Sequence, residues 1–292
     1  MKNVTSLVYL KCKTQFNRKC IMTAGIILMF AAFTNQTVTA QKSVQQYEDK
    51  VIMGIFAHPD DEILASTIFH KYIREGAEVV LVTATDGRLG TNDYNEYEAG
   101  DELAEVRRGE MKCSADILGA KLYHLDYEDQ LKTAEGFDGF VSQSQGLLED
   151  LHRIISDEQP DVIVTFGPDG FSNHIDHRIV GVSATQVVLS KEWEKIPQLF
   201  YMGFPSSQLD EMNMINRGTL DKYLTVQISY SEQDADVALE MARCHKSQFA
   251  PQMLEMWEQR MQNQEKVVYL RPFVKPNKEA DDLFEYSQTT DD

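Results

Sequence analysis

Val51-Ile52-Met53-Gly54-Ile55-Phe56 is an unbroken apolar run, and it stops at Ala57-His58-Pro59-Asp60-Asp61-Glu62. Beyond it, Ile63, Leu64, Ile68, Tyr72 and Ile73 recur every three to four residues. An apolar run with no alternation is a strand covered on both faces, and helical spacing after a short loop makes it a parallel βα unit. Pro59 suits a helix start, since it has no N–H to leave unpaired. The same grammar returns at 77–84, 121–125 and 162–166, each followed by a helical pattern. Further strands are predicted over 199–204, 223–230 and 267–270, and helices over 102–118, 147–155, 179–189, 232–249 and 252–261. The fold class is therefore α/β: a single-domain Rossmann-like sheet, mostly parallel, with helices on both faces. Sites in such sheets lie at the C-terminal strand ends.

Two of those ends carry unusual chemistry. After the first strand, one imidazole and three carboxylates fall within five residues. Packed carboxylates repel unless a cation compensates them. A plain alternative is a helix start whose acids serve the dipole. The second end weakens that alternative. Val162 to Phe166 runs into Gly167-Pro168-Asp169-Gly170-Phe171-Ser172-Asn173-His174-Ile175-Asp176-His177. Two histidines and an aspartate with an open position form the ligand set of a catalytic zinc. On spacing alone the ligands are His58, Asp61 and one of His174 or His177, with Asp60 free to act as a base.

His-Pro-Asp-Asp-Glu after a first strand, paired with a later His-x-Asp-His, resembles the PIG-L family, also called LmbE-like, of zinc-dependent N-acetylglucosamine deacetylases. The resemblance spans roughly 51–189. It implies Zn2+ on His58, Asp61 and His177, Asp60 as general base, and His174 at the reacting carbonyl. Asp176, two residues from His174, is expected to orient it and raise its pKa. Arg107 and Glu110, one turn apart, read simply as a surface ion pair. They also match an Arg-x-x-Glu of the family, followed here by Leu118-Gly119, which makes Arg107 a candidate substrate contact. Asp86 closes the second strand at the same sheet edge and is a second such candidate. The acidic stretch 89–100 reads as a substrate rim or a solvated linker.

The implied reaction is hydrolysis of the N-acetyl amide of an N-acetylated sugar or glycoconjugate. A zinc amidase on another acyl-amine or thiol conjugate, and a non-catalytic metal-stabilised carbohydrate binder, are the rivals. Asp60 argues against the last, because a structural site needs no spare carboxylate. Two histidines argue against a magnesium phosphoesterase. Dinucleotide, P-loop and serine-hydrolase motifs are missing.

Residues 1–40 hold Lys2, Lys11, Lys13, Arg18 and Lys19 and no acid, with an apolar stretch from Ile21 to Phe33 and Val38-Thr39-Ala40 before Gln41. This reads as a secretory signal peptide, short for a bilayer span, so the expectation is a secreted or periplasmic protein with no stable span after cleavage. An uncleaved anchor is the rival. Losing five cations takes the net charge from −18 to −23, which argues against nucleic acid as a partner. The catalytic domain is expected over 41–275, and a polar, disordered tail over 276–292. Cys113 and Cys244 remain outside any motif; they read as buried apolar residues, with pairing in an oxidising compartment left open because the sequence does not supply their distance.

Overall fold

A computed structural model describes residues 46–94, 96–190, 193–212, 218–273 and 281–284. The segment 1–40, where a signal peptide is expected, lies outside them. The strands are β1 Val51–Phe56, β2 Glu78–Thr85, β3 Lys121–Tyr127, β4 Val162–Thr165, β5 Gln198–Gly203, β6 Val226–Ser229 and β7 Val267–Pro272. The helices are α1 Ser66–Arg74, α2 Asp101–Leu118, α3 Phe137–Glu158, the single turn α4 Gly170–Asn173, α5 Ile175–Leu189, α6 Ser206–Met212, α7 Glu232–Ala242 and α8 Pro251–Asn263.

The strands form one sheet in the order β3-β2-β1-β4-β5-β7-β6. Pairing is parallel from β3 to β5, and β7 runs antiparallel to both its neighbours. Right-handed crossovers fix the layers. The chain steps one way through β1, β2 and β3, then returns to β4 and steps the other way to β5. That puts α1 and α2 on one face and α3 and α5 on the other. Helix contacts agree, since α1, α2 and α7 touch one another, as do α3 and α5.

The core sits where β1 and β4 meet. Ile52, Ile55, Phe56, Ile163 and Val164 are buried, with Phe69 and Tyr72 from α1 above and Val180 and Ala184 from α5 below. Each such side chain contributes about 1.5–3 kcal/mol of burial. Phe56 meets Phe69 and Phe166 edge to face. Gly181 lets α5 press onto the end of β4: a Cβ there would fall 2.2 Å from the Phe166 carbonyl oxygen. His177, one turn earlier, is thereby carried to the strand end. Among the described residues no helix is long and apolar enough to cross a membrane.

Four expectations change. α3 begins ten residues before Leu147, so the loop after β3 is short. Its first turns carry Gly139, Gly146, Ser and Gln, which mask a helical pattern. α7 stops at Ala242 instead of reaching 249, because residues 244–248 turn toward the site. Cys113 and Cys244 are not separate apolar residues; they are disulfide-bonded. Packing of α2 on α7 brings their Cα atoms to 5.9 Å, within disulfide range. Finally, 281–284 is ordered: Leu283 is fully buried and its N–H donates to the Tyr72 hydroxyl at 2.9 Å. The rest of the expected tail lies outside the described residues.

Candidate active site at two adjoining strand ends

β1 and β4 are neighbours, yet the chain leaves them in opposite directions, toward β2 and β5. The crevice this opens at their carboxyl ends is the switch point of an open α/β sheet. Both sequence clusters fall there. The ring nitrogens of His58, His174 and His177 approach within 4.8 Å of one another, as do atoms of His58, Asp129 and Asp176. Asp61 bridges the two motifs: its Oδ2 is 3.3 Å from His58 Nδ1 and its Oδ1 is 3.1 Å from His177 Nε2.

The outer nitrogens of both rings are engaged by acceptors. His58 Nε2 lies 3.1 Å from Asp176 Oδ2, and His177 Nδ1 lies 3.0 Å from the Gly170 carbonyl oxygen. A carbonyl only accepts, so His177 Nδ1 carries a proton and donates to it, and Nε2 is directed at Asp61. Imidazoles whose outer nitrogens are held by acceptors and whose inner nitrogens converge on one carboxylate are an arrangement that suits a metal ion. Asp176 Oδ1, buried and without a hydrogen-bond partner among the described residues, leaves an acceptor open at the cluster. The residues present thus fit a cation. Phe166 stacks on His177 at 4.0 Å and fixes its plane.

Electrostatics separates the two neighbouring aspartates. Burial and the adjacent Asp61 carboxylate push Asp60 up to about 6, against the pull of Arg107. Burial pushes Asp61 the same way, but His177 and His58 overwhelm it and hold its carboxyl well below the usual range. His58 is lifted to about 10, since its hydrogen bonds to Asp176 and Asp61 outweigh burial.

Asp60 occupies φ 123°, ψ −20°, a conformation non-glycine residues seldom adopt and which costs about 1–3 kcal/mol. Its carboxylate is 3.3 Å from Arg107 Nη2. Arg107 is buried, not paired on the surface with Glu110, and it donates to the Pro59 and Gly87 carbonyls. Glu110 accepts from the backbone N–H and hydroxyl of Ser247. Asp86 is buried and accepts from Arg88. The Asp176 carboxylate pulls the pKa of His174 upward but is outweighed. It lies closer to His58, and burial, then the charges of His58 and His177, hold His174 below its ordinary value. His174 Nδ1 instead accepts the Asp176 N–H and caps α5.

Three contributors escape the sequence reading. Asp129 accepts from the N–H groups of Gly87 and Leu89, tying the β2 and β3 ends together. Glu62 and His245 form a fully buried pair at 2.7 Å, in which His245 is raised and Glu62 lowered despite burial. The only advance signal was an acid at the close of the first motif. A cavity of about 610 Å³ behind the first junction is lined by Ile63, Leu64, Phe171 and Trp257 and by none of the cluster residues.

A doubly wound α/β sheet with an imidazole–carboxylate cluster at its switch point defines the class. Residues 53–188 match the family described as "PIG-L: GlcNAc-PI de-N-acetylase". It is 26% identical over 215 residues to a 1D-myo-inositol 2-acetamido-2-deoxy-alpha-D-glucopyranoside deacetylase of Mycobacterium sp. (strain JLS), covering 65% of this chain and 68% of that one. It is 29% identical over 222 residues to a diacetylchitobiose deacetylase of Thermococcus kodakarensis, covering 72% and 74%. The fold is similar to that of an N,N'-diacetylchitobiose deacetylase from Pyrococcus horikoshii, with a TM-score of 0.57 and 25% identity over 78% of this chain and 86% of that one.

Proposed function

We propose that this protein is a zinc-dependent hydrolase that removes the N-acetyl group from an N-acetylglucosamine-containing glycan or glycoconjugate, releasing a free amine and acetate. The observation that carries the reading is the split between Asp60 and Asp61. One carboxylate is held ionised between two imidazoles, and its neighbour, beside Arg107, is poised near 6. His58, Asp61 and His177 would hold the ion, and two imidazoles with one carboxylate favour zinc. When bound, zinc supplies Lewis-acid polarisation of the acetyl carbonyl and acidifies water.

The chain's own groups do the rest. Asp60 accepts a proton from the attacking water, whose oxygen bonds to the acetyl carbon. His174 has Nδ1 committed as an acceptor, so its neutral ring carries hydrogen on Nε2 and can donate to the developing oxyanion. As the C–N bond breaks, the proton held on Asp60 passes to the leaving amine. The same reading sets the enzyme in the periplasm or outside the cell. The acid-free basic segment 1–40 supports this, as does a disulfide that an oxidising compartment preserves.

The test is acetate release from N-acetylglucosamine, diacetylchitobiose and N-acetylglucosaminyl-inositol. Release from at least one, lost on chelation and restored by zinc, is expected. Binding without acetate from metal-replete protein would overturn the reading in favour of a carbohydrate-binding role.

A further inference from the structure

The left-handed backbone at Asp60 needs an external hold, and the fold supplies one on each side of a single peptide group. The Pro59 carbonyl accepts from Arg107 Nη2 at 2.5 Å, and the Asp60 N–H of the same peptide donates to Glu62 Oε2 at 2.9 Å. Rotating that peptide would break both bonds at once. Glu62 is itself fixed. Its other oxygen accepts from Ser114 Oγ at 2.6 Å and from His245 Nε2 at 2.7 Å.

Ser114 follows Cys113, and His245 follows Cys244. The disulfide therefore joins the chain neighbours of the two Glu62 donors. Arg107 stands seven residues before Ser114 on α2, about two turns away, so one helix presents both. Beyond His245, Ser247 is bound to Glu110 of the same helix. His245 thus lies between two ties to α2, one covalent and one hydrogen-bonded.

We propose that Glu62, His245 and the Cys113–Cys244 bond are a positioning chain that holds the Asp60 peptide in its productive orientation, so that cutting the disulfide slows catalysis. This rests on Asp60 as the base. None of these groups is a nucleophile, and none touches the reacting atoms. Cys113 is exposed, so a dithiol reductant can reach its sulfur. The reductant delivers two electrons and two protons, the S–S bond becomes two thiols, and the reductant closes to its own disulfide.

The experiment compares full-length protein as oxidised wild type, reduced wild type, His245→Leu and His245→Gln. Hydrogen exchange at the Asp60 amide, metal content, kcat and KM are measured for each. Reduction and His245→Leu are expected to speed exchange at Asp60 and to lower kcat on the order of tenfold, with KM and metal content unchanged. His245→Gln, which can still donate to Glu62, is expected to recover most of both. Retained protection of the β4 amides identifies folded protein. If His245→Leu loses it, the reduced wild type and His245→Gln decide. Unchanged Asp60 exchange in folded, reduced protein overturns the chain, as does equal damage from Gln and Leu. If wild type releases no acetate, exchange at Asp60 alone decides the chain, and the deacetylase reading falls separately.

Discussion

The two strand ends that make the site are built in opposite ways. Both contain residues in left-handed conformations: Asp60 at one, Gly170, Phe171 and Asn173 at the other. At the β4 end the loop is held by the helix it leads into. His177 meets the Gly170 carbonyl, Arg178 donates to the Asp169 carbonyl and to Asn173, and His174 caps its own helix. At the β1 end the hold comes from far away in the sequence, through Arg107, Ser114 and His245. Exposure differs too, since Glu62 is 1% exposed while the His174 side chain is 46% exposed. A self-contained loop can sit at the mouth and meet substrate. A base whose backbone is strained needs the interior of the protein around it.

The largest effects should separate neighbours at the β1 end. Asp60→Asn keeps nearly the same shape but cannot take a proton, so it should retain zinc and lose about 10²–10⁴-fold in kcat. Asp61→Asn should lose metal first and recover in part with added zinc. Metal content and acetate release at rising zinc distinguish them, and rescue of Asp60→Asn instead would mean that base and ligand are exchanged.

At the β4 end, His174→Gln should lower kcat roughly 10²-fold with metal retained, as expected for one lost oxyanion donor. An unchanged kcat would reduce that end to a support for His177.

The smallest effect tests whether the hold on Asp60 is local. Asp234 caps α7 and accepts from Arg74 and His70 of α1. Burial opposes ionisation there, but the Arg74 and Ser231 bonds hold its carboxyl at about 2. A depressed native pKa stabilises above the unfolded value near 3.8 and is lost as pH falls through about 2. Asp234→Asn should therefore cost about 2 kcal/mol at pH 7 and nearly nothing at pH 2, by urea unfolding. Turnover per folded molecule should be unchanged; a drop would show that the β1 end depends on helix docking as a whole.

This contrast also explains what could be read in advance. The β4 motif is complete within eleven residues, and periodicity placed it at a strand end, so its members were legible. The β1 motif was legible only for the residues it contains. That Glu62 needs His245 is a fact about α7 ending early, and no local pattern in 232–249 announces the break. The pairing of Cys113 with Cys244 depends on the approach of α2 to α7, a distance that spacing does not encode. Asp176 was paired with His174 because they lie two residues apart, and the fold adds a partner spacing could not show, His58, 118 positions away.

Tyr47, Tyr72 and Phe284 form an aromatic cluster, with Tyr47 against Phe284 at 4.5 Å and against Tyr72 at 5.3 Å. Tyr47 precedes β1 and Tyr72 closes α1, so the cluster lies at the edge of the sheet opposite the crevice. The described body is thus entered and left at its back. Both crossings are therefore remote from the strand ends that carry the imidazole–carboxylate cluster, which leaves that edge of the described body clear of them.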